Sequence, residues 1–193
     1  MNRHKDTGQH LLATGQDIIS SRGFSSVGLS TILQQANVPK GSFYHYFRSK
    51  EQFGQALLED YFAGYLDALA QRFSTADQSS LQRLMGYWEN WRHQYCGPDG
   101  LQNCLVVKLS AEVADLSEPM RIALRDGTSR IIDAIAGCIR AAIDEQSLPE
   151  QDEYQLASNL YQLWLGASLL TKLRRDCQAM DRAMTLTRAL LNQ

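Results

Sequence analysis

The chain lacks the features that mark membrane, secreted and metal-binding proteins. No stretch approaches the roughly 20 apolar residues that a membrane span needs, and the opening MNRHKDTGQH has no apolar run typical of a signal peptide. None of the four cysteines lies in a CxxC or cysteine/histidine pattern with metal spacing. We therefore expect a cytoplasmic protein with no metal or other cofactor, and with thiols rather than a disulfide framework.

The sequence also lacks a recognisable catalytic constellation. An enzyme of the common hydrolytic or transfer classes needs a nucleophile beside a base, or a metal centre. The four histidines are scattered, and three of them lie in the N-terminal part of the chain. The pattern predicts a protein that is not an enzyme.

Apolar residues recur at three- and four-residue steps through most of the chain, which is the spacing of amphipathic helices. We predict an all-α fold of nine helices without a strand. The predicted helices span residues 4–22, 29–36, 40–47, 49–73, 81–95, 103–115, 117–145, 154–175 and 180–191. Residues 1–48 should form a DNA-binding domain and residues 49–193 a regulatory and dimerisation domain, with the helix at 49–73 as the connector.

The prediction of DNA binding rests on residues 29–50, LSTILQQANVPKGSFYHYFRSK. They read as two short helices with a tight break, and Pro39 suits the first turn of the second helix. That second helix is basic, aromatic and almost free of acid, which is typical of a helix-turn-helix. Residues 1–55 hold six Lys/Arg against three Asp/Glu, whereas the remainder holds thirteen against eighteen. A basic end on an acidic body fits a DNA reader with a separate control domain.

The order of these motifs resembles the TetR family of bacterial repressors. The resemblance covers the layout of the whole chain and is most specific at residues 22–57, where RGF precedes the helix pair and KEQF follows PKGSFYHYF. In the body, CLVVKLSAEVADLSEPMR and LYQLWLGASLL are similar to the NemR-type repressors. The family resemblance implies a homodimer whose third helix enters the major groove of a palindromic operator. The NemR-type resemblance implies release of DNA, at detoxification genes, when an electrophile or oxidant modifies a cysteine.

The side chains expected to contact operator DNA lie on or near the second short helix. They are Ser26, Ser30, Lys40, Gly41, Ser42, Tyr44, His45 and Lys50. Phosphate contacts would set the register of the protein on the duplex, and base contacts would select the sequence. Phe43 and Phe47 lie four residues apart and should face the core instead.

Cys104 is the expected sensor. It follows a Gly/Pro loop and should lie in the first turn of a helix, where the N-terminal field favours a thiolate. By resemblance, Lys172 is its partner and Cys96 could resolve a sulfenic acid. Lys108 is a rival partner, although an ion pair with Glu112 explains it equally well. Cys104 could instead be an inert buried thiol.

Two other functions stay open from the sequence. The body could bind a small-molecule inducer reversibly, with a carboxylate held by Arg121 or Lys172. The aromatic residues available to line such a pocket are Trp88, Trp91, Tyr95, Tyr161 and Trp164, although their helical spacing fits core packing better. An all-α adaptor that binds only protein is the alternative from another class, but it would not need a basic helix at 40–47.

The two remaining cysteines, Cys138 and Cys177, are assigned to packing or to the surface.

The helix at 154–175 is more apolar than one buried face requires, which indicates a subunit interface. The residues predicted to lie in that interface are Leu160, Leu163, Gly166, Ala167 and Leu170. An isologous two-fold dimer would match a palindromic operator.

Overall fold

The computed structural model describes residues 3–97 and 104–192. Within these ranges it contains nine α-helices and no strand, so the predicted all-α class is confirmed. The helices are α1 (Arg3–Arg22), α2 (Leu29–Ala36), α3 (Lys40–Phe43), α4 (Lys50–Phe73), α5 (Ser80–Cys96), α6 (Leu105–Val113), α7 (Glu118–Asp144), α8 (Glu153–Arg174) and α9 (Gln178–Leu190). In the described part of the chain, no helix is both long and apolar enough to cross a membrane.

The helices group into two compact units. The first unit holds the chain up to Tyr65 and the described residues from Cys104 to Thr128. It therefore combines α1, α2, α3 and α6 with the first parts of α4 and α7. The second unit holds the described residues of 66–102 together with those from Ser129 onward, which include α5, α8 and α9. The boundary at residue 48 between a DNA-binding domain and a regulatory domain is a division by function rather than by packing, and it stays a prediction.

Aromatic rings from α3 and α4 fill the core of the first unit. Phe43 and Phe53 are fully buried, and the Phe53 ring lies 5.7 Å from that of Phe43 and 5.1 Å from that of Phe47. The prediction that Phe43 and Phe47 face the core is confirmed. Gly15 on α1 allows this packing, because a Cβ there would lie 2.4 Å from the Phe53 ring.

The break between α2 and α3 follows from local backbone chemistry. Asn37 adopts a left-handed conformation with φ of 53°, and the Val38 amide donates to the Leu33 carbonyl at 3.0 Å, which closes α2. The prediction that the next helix runs from 40 to 47 is wrong in extent, since α3 ends at Phe43. The amides of His45 and Tyr46 bond to carbonyls three residues back rather than four, so the chain tightens into turns there.

Stacked indoles form the core of the second unit. The Trp88 and Trp164 rings lie 5.2 Å apart and nearly parallel. The Trp91 indole N–H donates to Ser168 Oγ at 3.0 Å, and that of Trp164 donates to Thr187 Oγ1 at 2.9 Å. These bonds satisfy polar groups that would otherwise be buried at a cost.

Two cysteines of the second unit form a disulfide, contrary to the expectation of four thiols. Cys96 ends α5, and Cys177 precedes α9; they are 81 positions apart in sequence, and their Cα atoms are 5.9 Å apart. The pairing arises because left-handed Arg175 ends α8 and turns the chain into α9. Spacing along the sequence does not reveal which helix ends meet in this way.

Candidate functional site

The surface of the first unit around α3 exposes a set of polar and aromatic side chains. Lys40, Tyr44 and His45 are all exposed, and Tyr44 remains 51% exposed although it is aromatic. Beside them lies a concave surface enclosing about 750 Å³, whose lining includes Ser30, Lys40 and Tyr44. This convergence of hydrogen-bonding groups on one exposed helix-turn-helix surface is suited to contacts with phosphates and base edges.

Gly41 gives this surface an exposed backbone. A Cβ at Gly41 would meet nothing within 4 Å, so packing inside the protein does not require glycine there. The lack of a side chain leaves the first turn of α3 open to close approach by another molecule. Ser42 beside it is half-buried, and its amide donates to the Pro39 carbonyl at 2.9 Å.

Ser26 lies in the turn between α1 and α2, and Lys50, the first residue of α4, reaches that turn with its side chain. Ser26 Oγ donates to the Arg22 carbonyl at 2.6 Å. Lys50 Nζ donates to the Phe24 carbonyl at 2.6 Å and lies 4.3 Å from the centre of the Phe24 ring. Burial lowers the pKa of Lys50, and the nearby Glu112 charge opposes that effect. Both residues are therefore engaged in holding the turn, and their contacts with DNA stay predictions.

Glu112 on α6 holds the same turn from another side. Its carboxylate accepts the backbone N–H groups of Phe24 at 3.1 Å and Ser25 at 2.5 Å. We call these two hydrogen bonds the Glu112 clasp. Gly23 makes room for it, because its φ is +91° and a Cβ there would lie 2.8 Å from Glu112 Oε2. Residues that carry a side chain rarely adopt that backbone conformation, and a Cβ would also collide with the Glu112 carboxylate. For both reasons this position requires glycine.

The hydrogen bonds of the Glu112 clasp contribute to a lowered pKa of Glu112. Burial alone would raise the pKa of Glu112, but the hydrogen bonds from Ser25 and Phe24 and the nearby Lys108 charge together lower it. Sequence reasoning missed this role and linked Glu112 only to Lys108. The signal available in the sequence was Gly23, since a glycine between a helix end and a buried phenylalanine indicates a constrained turn.

Cys104 lies at the other end of the helix that carries Glu112. The prediction of a first-turn position is slightly wrong, because Cys104 is the N-cap residue of α6. The predicted start of this helix at residue 103 falls outside the described residues. The thiol is half-buried, with Sγ 4.0 Å from Tyr61 Oη. Unpaired N–H groups at a helix start favour negative charge nearby. The nine-residue helix α6 thus joins a partly accessible thiol to the Glu112 clasp.

The two lysines proposed as partners of Cys104 have different surroundings. Lys108 contributes to the lowered pKa of Glu112, which places its charge near that carboxylate. Its pairing with Cys104 stays a prediction. Lys172 is half-buried on α8 and belongs to the second unit. Its pairing with Cys104 stays a prediction.

The remaining cysteines divide between a disulfide and a buried thiol. Cys96 was the candidate to resolve a sulfenic acid, but its sulfur is bonded to Cys177. Cys138 has the packing role assigned to it, since it is buried and its Sγ donates to the Ser80 carbonyl at 3.3 Å. Burial raises the pKa of Cys138 to about 12, so it stays a thiol at neutral pH.

The aromatic candidates for an inducer pocket are core residues. Trp88 and Trp164 have no exposed surface, so they do not line a site open to a ligand. Tyr95 is also buried, although it borders a small cavity beside the disulfide. Arg121, the other candidate to hold a carboxylate, pairs through two nitrogens with Glu118 at 2.6 and 2.7 Å.

The predicted interface residues on α8 divide by exposure. Leu160 and Ala167 are buried within the protomer, so they are not available to a partner subunit. Gly166 and Leu170 are exposed and Leu163 is half-buried. The larger exposed apolar side chains on α8 and α9 are Leu169, Leu170, Leu173, Leu186 and Leu190.

Comparison with known proteins relates both parts of the chain to transcriptional regulators. Residues 11–57 match the family model of bacterial regulatory proteins of the tetR family. Residues 80–187 match the model of the tetracyclin repressor-like C-terminal domain.

Individual relatives align over most of the chain. It is 42% identical over 187 residues to the HTH-type transcriptional repressor NemR of Escherichia coli (strain K12), covering 95% of this chain and 94% of that protein. It is 33% identical to the transcriptional regulator AcuR of Cereibacter sphaeroides, over 86% of this chain and 76% of that protein. The crystal structure of the reduced form of E. coli NemR matches with a TM-score of 0.91 at 40% identity, covering 96% of both chains.

Proposed function

Because the chain belongs to the TetR family of bacterial regulatory proteins, we propose that it is a cytoplasmic repressor that binds a palindromic operator as a homodimer. Modification of Cys104 by an electrophile or oxidant releases the DNA. The 42% identity to a transcriptional repressor over nearly the whole chain carries the proposal of repression. The genes under its control encode detoxification enzymes.

The exposed surface at α3 supports the DNA-binding part of the proposal. Lys40 and Tyr44 are solvent-accessible, and Gly41 lets the backbone approach a groove. Lys40 neutralises a phosphate, and Tyr44, His45 and Ser30 supply further hydrogen bonds to phosphates or bases. The exposed leucines of α8 and α9 supply an apolar face for the second protomer.

Salt dependence tests the role of Lys40. Each phosphate contact contributes about one to the slope of log Kd against log salt. Lys40→Ala should therefore lower that slope by about one on promoter DNA in a fluorescence-anisotropy titration. Arg130→Ala, which removes an exposed cation on α7, is the matched control and should leave the slope unchanged. An unchanged slope for Lys40→Ala would remove this residue from the interface.

The position of Cys104 on α6 supports the sensing part. A quinone would be attacked by the thiolate at a ring carbon, with a proton passing to the quinone oxygen. Hypochlorous acid would convert the thiolate to a sulfenic acid and release chloride. Either product adds bulk at the N-cap of α6. A shift of this helix would act through the Glu112 clasp on the α1–α2 turn, which leads directly into the helix-turn-helix.

The sensing proposal is tested by exposing the DNA-bound protein to benzoquinone. We expect treatment to release the operator from the unsubstituted protein and from Cys138→Ser, but not from Cys104→Ser. Full release from Cys104→Ser would exclude Cys104 as the sensor. A non-reactive hydroquinone ether serves as the control for reversible binding; if it also releases DNA, the body contains a reversible inducer site instead.

A further inference from the structure

We propose that the Cys96–Cys177 disulfide and the cavity beside it form a second redox site, which reacts with a small thiol that carries an anionic group. This site lies wholly in the second unit, whereas Cys104 belongs to the first. The proposal therefore holds whether or not Cys104 is a sensor. Its four supports are a cavity at the disulfide, an unpartnered buried hydroxyl, a cationic rim and an electrostatic difference between the two sulfurs.

The cavity gives a small molecule access to the disulfide. It encloses about 310 Å³, and both Cys96 and Cys177 line it and are half-buried. That volume is at the lower end of the roughly 300–1,000 Å³ found for ligand pockets. The cavity is accordingly suited to a molecule of a few heavy atoms rather than to a protein side chain presented by a folded partner.

Thr171 supplies an unused polar group in the cavity wall. Its side chain is only 2% exposed, and Oγ1 has no hydrogen-bond partner among the described residues. A buried hydroxyl without a partner costs stability, and such groups in folded proteins usually bind a ligand or water. Oγ1 itself has less than 1 Å² of accessible surface, so a ligand atom would bond to it only after a small movement of the cavity wall.

The charges at the rim favour an anionic ligand. Arg175 lines the cavity and is exposed, and its left-handed backbone is held by a hydrogen bond from its N–H to the Thr171 carbonyl at 2.8 Å. Asp176 also lines the cavity, but its Oδ1 accepts the Gln178 N–H at 3.0 Å, which directs this oxygen toward the start of α9. Arg175 is thus the cation that lines the cavity and would attract a carboxylate on a thiol, and the charge of Asp176 opposes this attraction.

The two sulfurs differ because they lie at opposite kinds of helix end. Cys177 is the N-cap of the 13-residue α9, where the helix field stabilises a thiolate. Cys96 is the last residue of α5, where the field has the opposite sign. In thiol–disulfide exchange the sulfur that is the more stable thiolate leaves faster. The incoming thiolate should therefore attack Cys96 Sγ and displace Cys177.

The exchange is balanced without any further oxidant or reductant. The small thiolate forms a bond to Cys96 Sγ, the Cys96–Cys177 bond breaks, and its electron pair goes to Cys177. A second small thiolate attacks the small-molecule sulfur of the mixed disulfide, which yields the oxidised dimer of the small thiol and a Cys96 thiolate that takes a proton from water. The same steps in reverse, starting from the oxidised small thiol, restore the disulfide. Reduction thus releases the end of α5 from the turn between α8 and α9.

The test uses two probes of matched length and opposite charge, 3-mercaptopropionate and cysteamine, on the full-length oxidised protein. Acid-quenched samples are analysed by intact mass and by peptide mapping without reduction. We expect the first adduct on Cys96 with Cys177 free. Each probe's rate at equal thiolate concentration is divided by its rate with the urea-unfolded oxidised protein, which cancels the different intrinsic nucleophilicities of the two thiolates. We expect this native-to-unfolded ratio to be several-fold higher for 3-mercaptopropionate than for cysteamine. Arg175→Gln should remove that preference, whereas Arg174→Gln, which alters the neighbouring exposed arginine outside the cavity, should retain it.

Three outcomes would overturn the proposal. An adduct mainly on Cys177 would contradict the assignment of the leaving sulfur. Equal native-to-unfolded rate ratios for the two probes in the unsubstituted protein would contradict anion selection by Arg175. A disulfide that resists both probes but is cleaved by a thioredoxin-type protein dithiol would show a site for a protein partner rather than for a small thiol.

Discussion

The carboxylate of Glu112 accepts the backbone N–H of Ser25 at 2.5 Å, although 87 residues separate them in sequence. Through this bond and its neighbour at Phe24, helix α6 determines the position of the turn that leads into the helix-turn-helix. Lys50 holds the same turn through the Phe24 carbonyl. The α1–α2 turn is therefore fixed jointly by α4 and α6, and of these two helices α6 is the one whose N-cap is Cys104.

Glu112→Gln tests the clasp directly. The amide keeps one acceptor oxygen but loses the charge and one of the two hydrogen bonds to the turn. We expect the free energy of unfolding to fall by about 1–2 kcal/mol, and operator binding to weaken while the protein stays folded. Urea titrations and fluorescence anisotropy on promoter DNA measure the two effects.

Glu118→Gln is the control for Glu112→Gln. It removes a carboxylate on the exposed surface, where an ion pair with Arg121 contributes little. If both variants bound operator as tightly as the unsubstituted protein, the clasp would have no part in positioning the DNA-binding surface.

The lowered pKa of Glu112 predicts a loss of stability in acid. Its contribution is fully present above the pKa of a glutamate in the unfolded chain, about 4.3, and is lost as pH falls through the lower pKa of the folded state. As pH falls below about 4.3, Glu112→Gln should therefore lose less stability than the unsubstituted protein. Urea unfolding of both proteins over this acidic range measures the difference between their free energies of unfolding. The titration of the other carboxylates is common to both proteins and cancels in that difference. Parallel curves for the two proteins would show that Glu112 is not linked to folding.

Gly23→Ala should destabilise the first unit for two reasons. The backbone φ of +91° is unfavourable for alanine, and the added Cβ would lie 2.8 Å from the Glu112 carboxylate. We expect a loss of about 1–3 kcal/mol and weaker operator binding, measured by thermal unfolding and anisotropy. Gly64→Ala is the control, and its effect on stability should have the opposite sign. This glycine lies inside α4, and an added Cβ would have nothing within 4 Å. It should stabilise the helix by about 0.5–1 kcal/mol. A stable Gly23→Ala with normal DNA binding would contradict the geometry of the turn.

The features that the sequence predicted well are those encoded in local patterns. Helix spacing predicted that Phe43 and Phe47 lie in the core, and both are buried. Ser49, a typical N-cap residue type, precedes α4, and its Oγ accepts the Gln52 N–H at 3.0 Å. The length of α3 was predicted wrongly because the chain after Phe43 forms turns, in which an amide bonds to the carbonyl three residues earlier. The spacing of apolar residues in the sequence does not distinguish such turns from a continuing helix. The Glu112 clasp and the Cys96–Cys177 bond join residues more than 80 positions apart. Such pairs depend on how helices pack, which composition and spacing do not specify.

The environments of the two free cysteines predict different reactivity toward iodoacetamide. Cys138 is buried, donates to the Ser80 carbonyl, and has a pKa raised to about 12, so almost none of it is thiolate at neutral pH. Cys104 is half-buried at the start of α6, where a reagent can reach it. We expect the native protein at neutral pH to be alkylated at Cys104 and not at Cys138, and both to react after unfolding in urea. Peptide mapping by mass spectrometry measures both sites in one sample. A native protein alkylated first at Cys138, or at neither cysteine, would favour the interpretation of Cys104 as an inert core thiol.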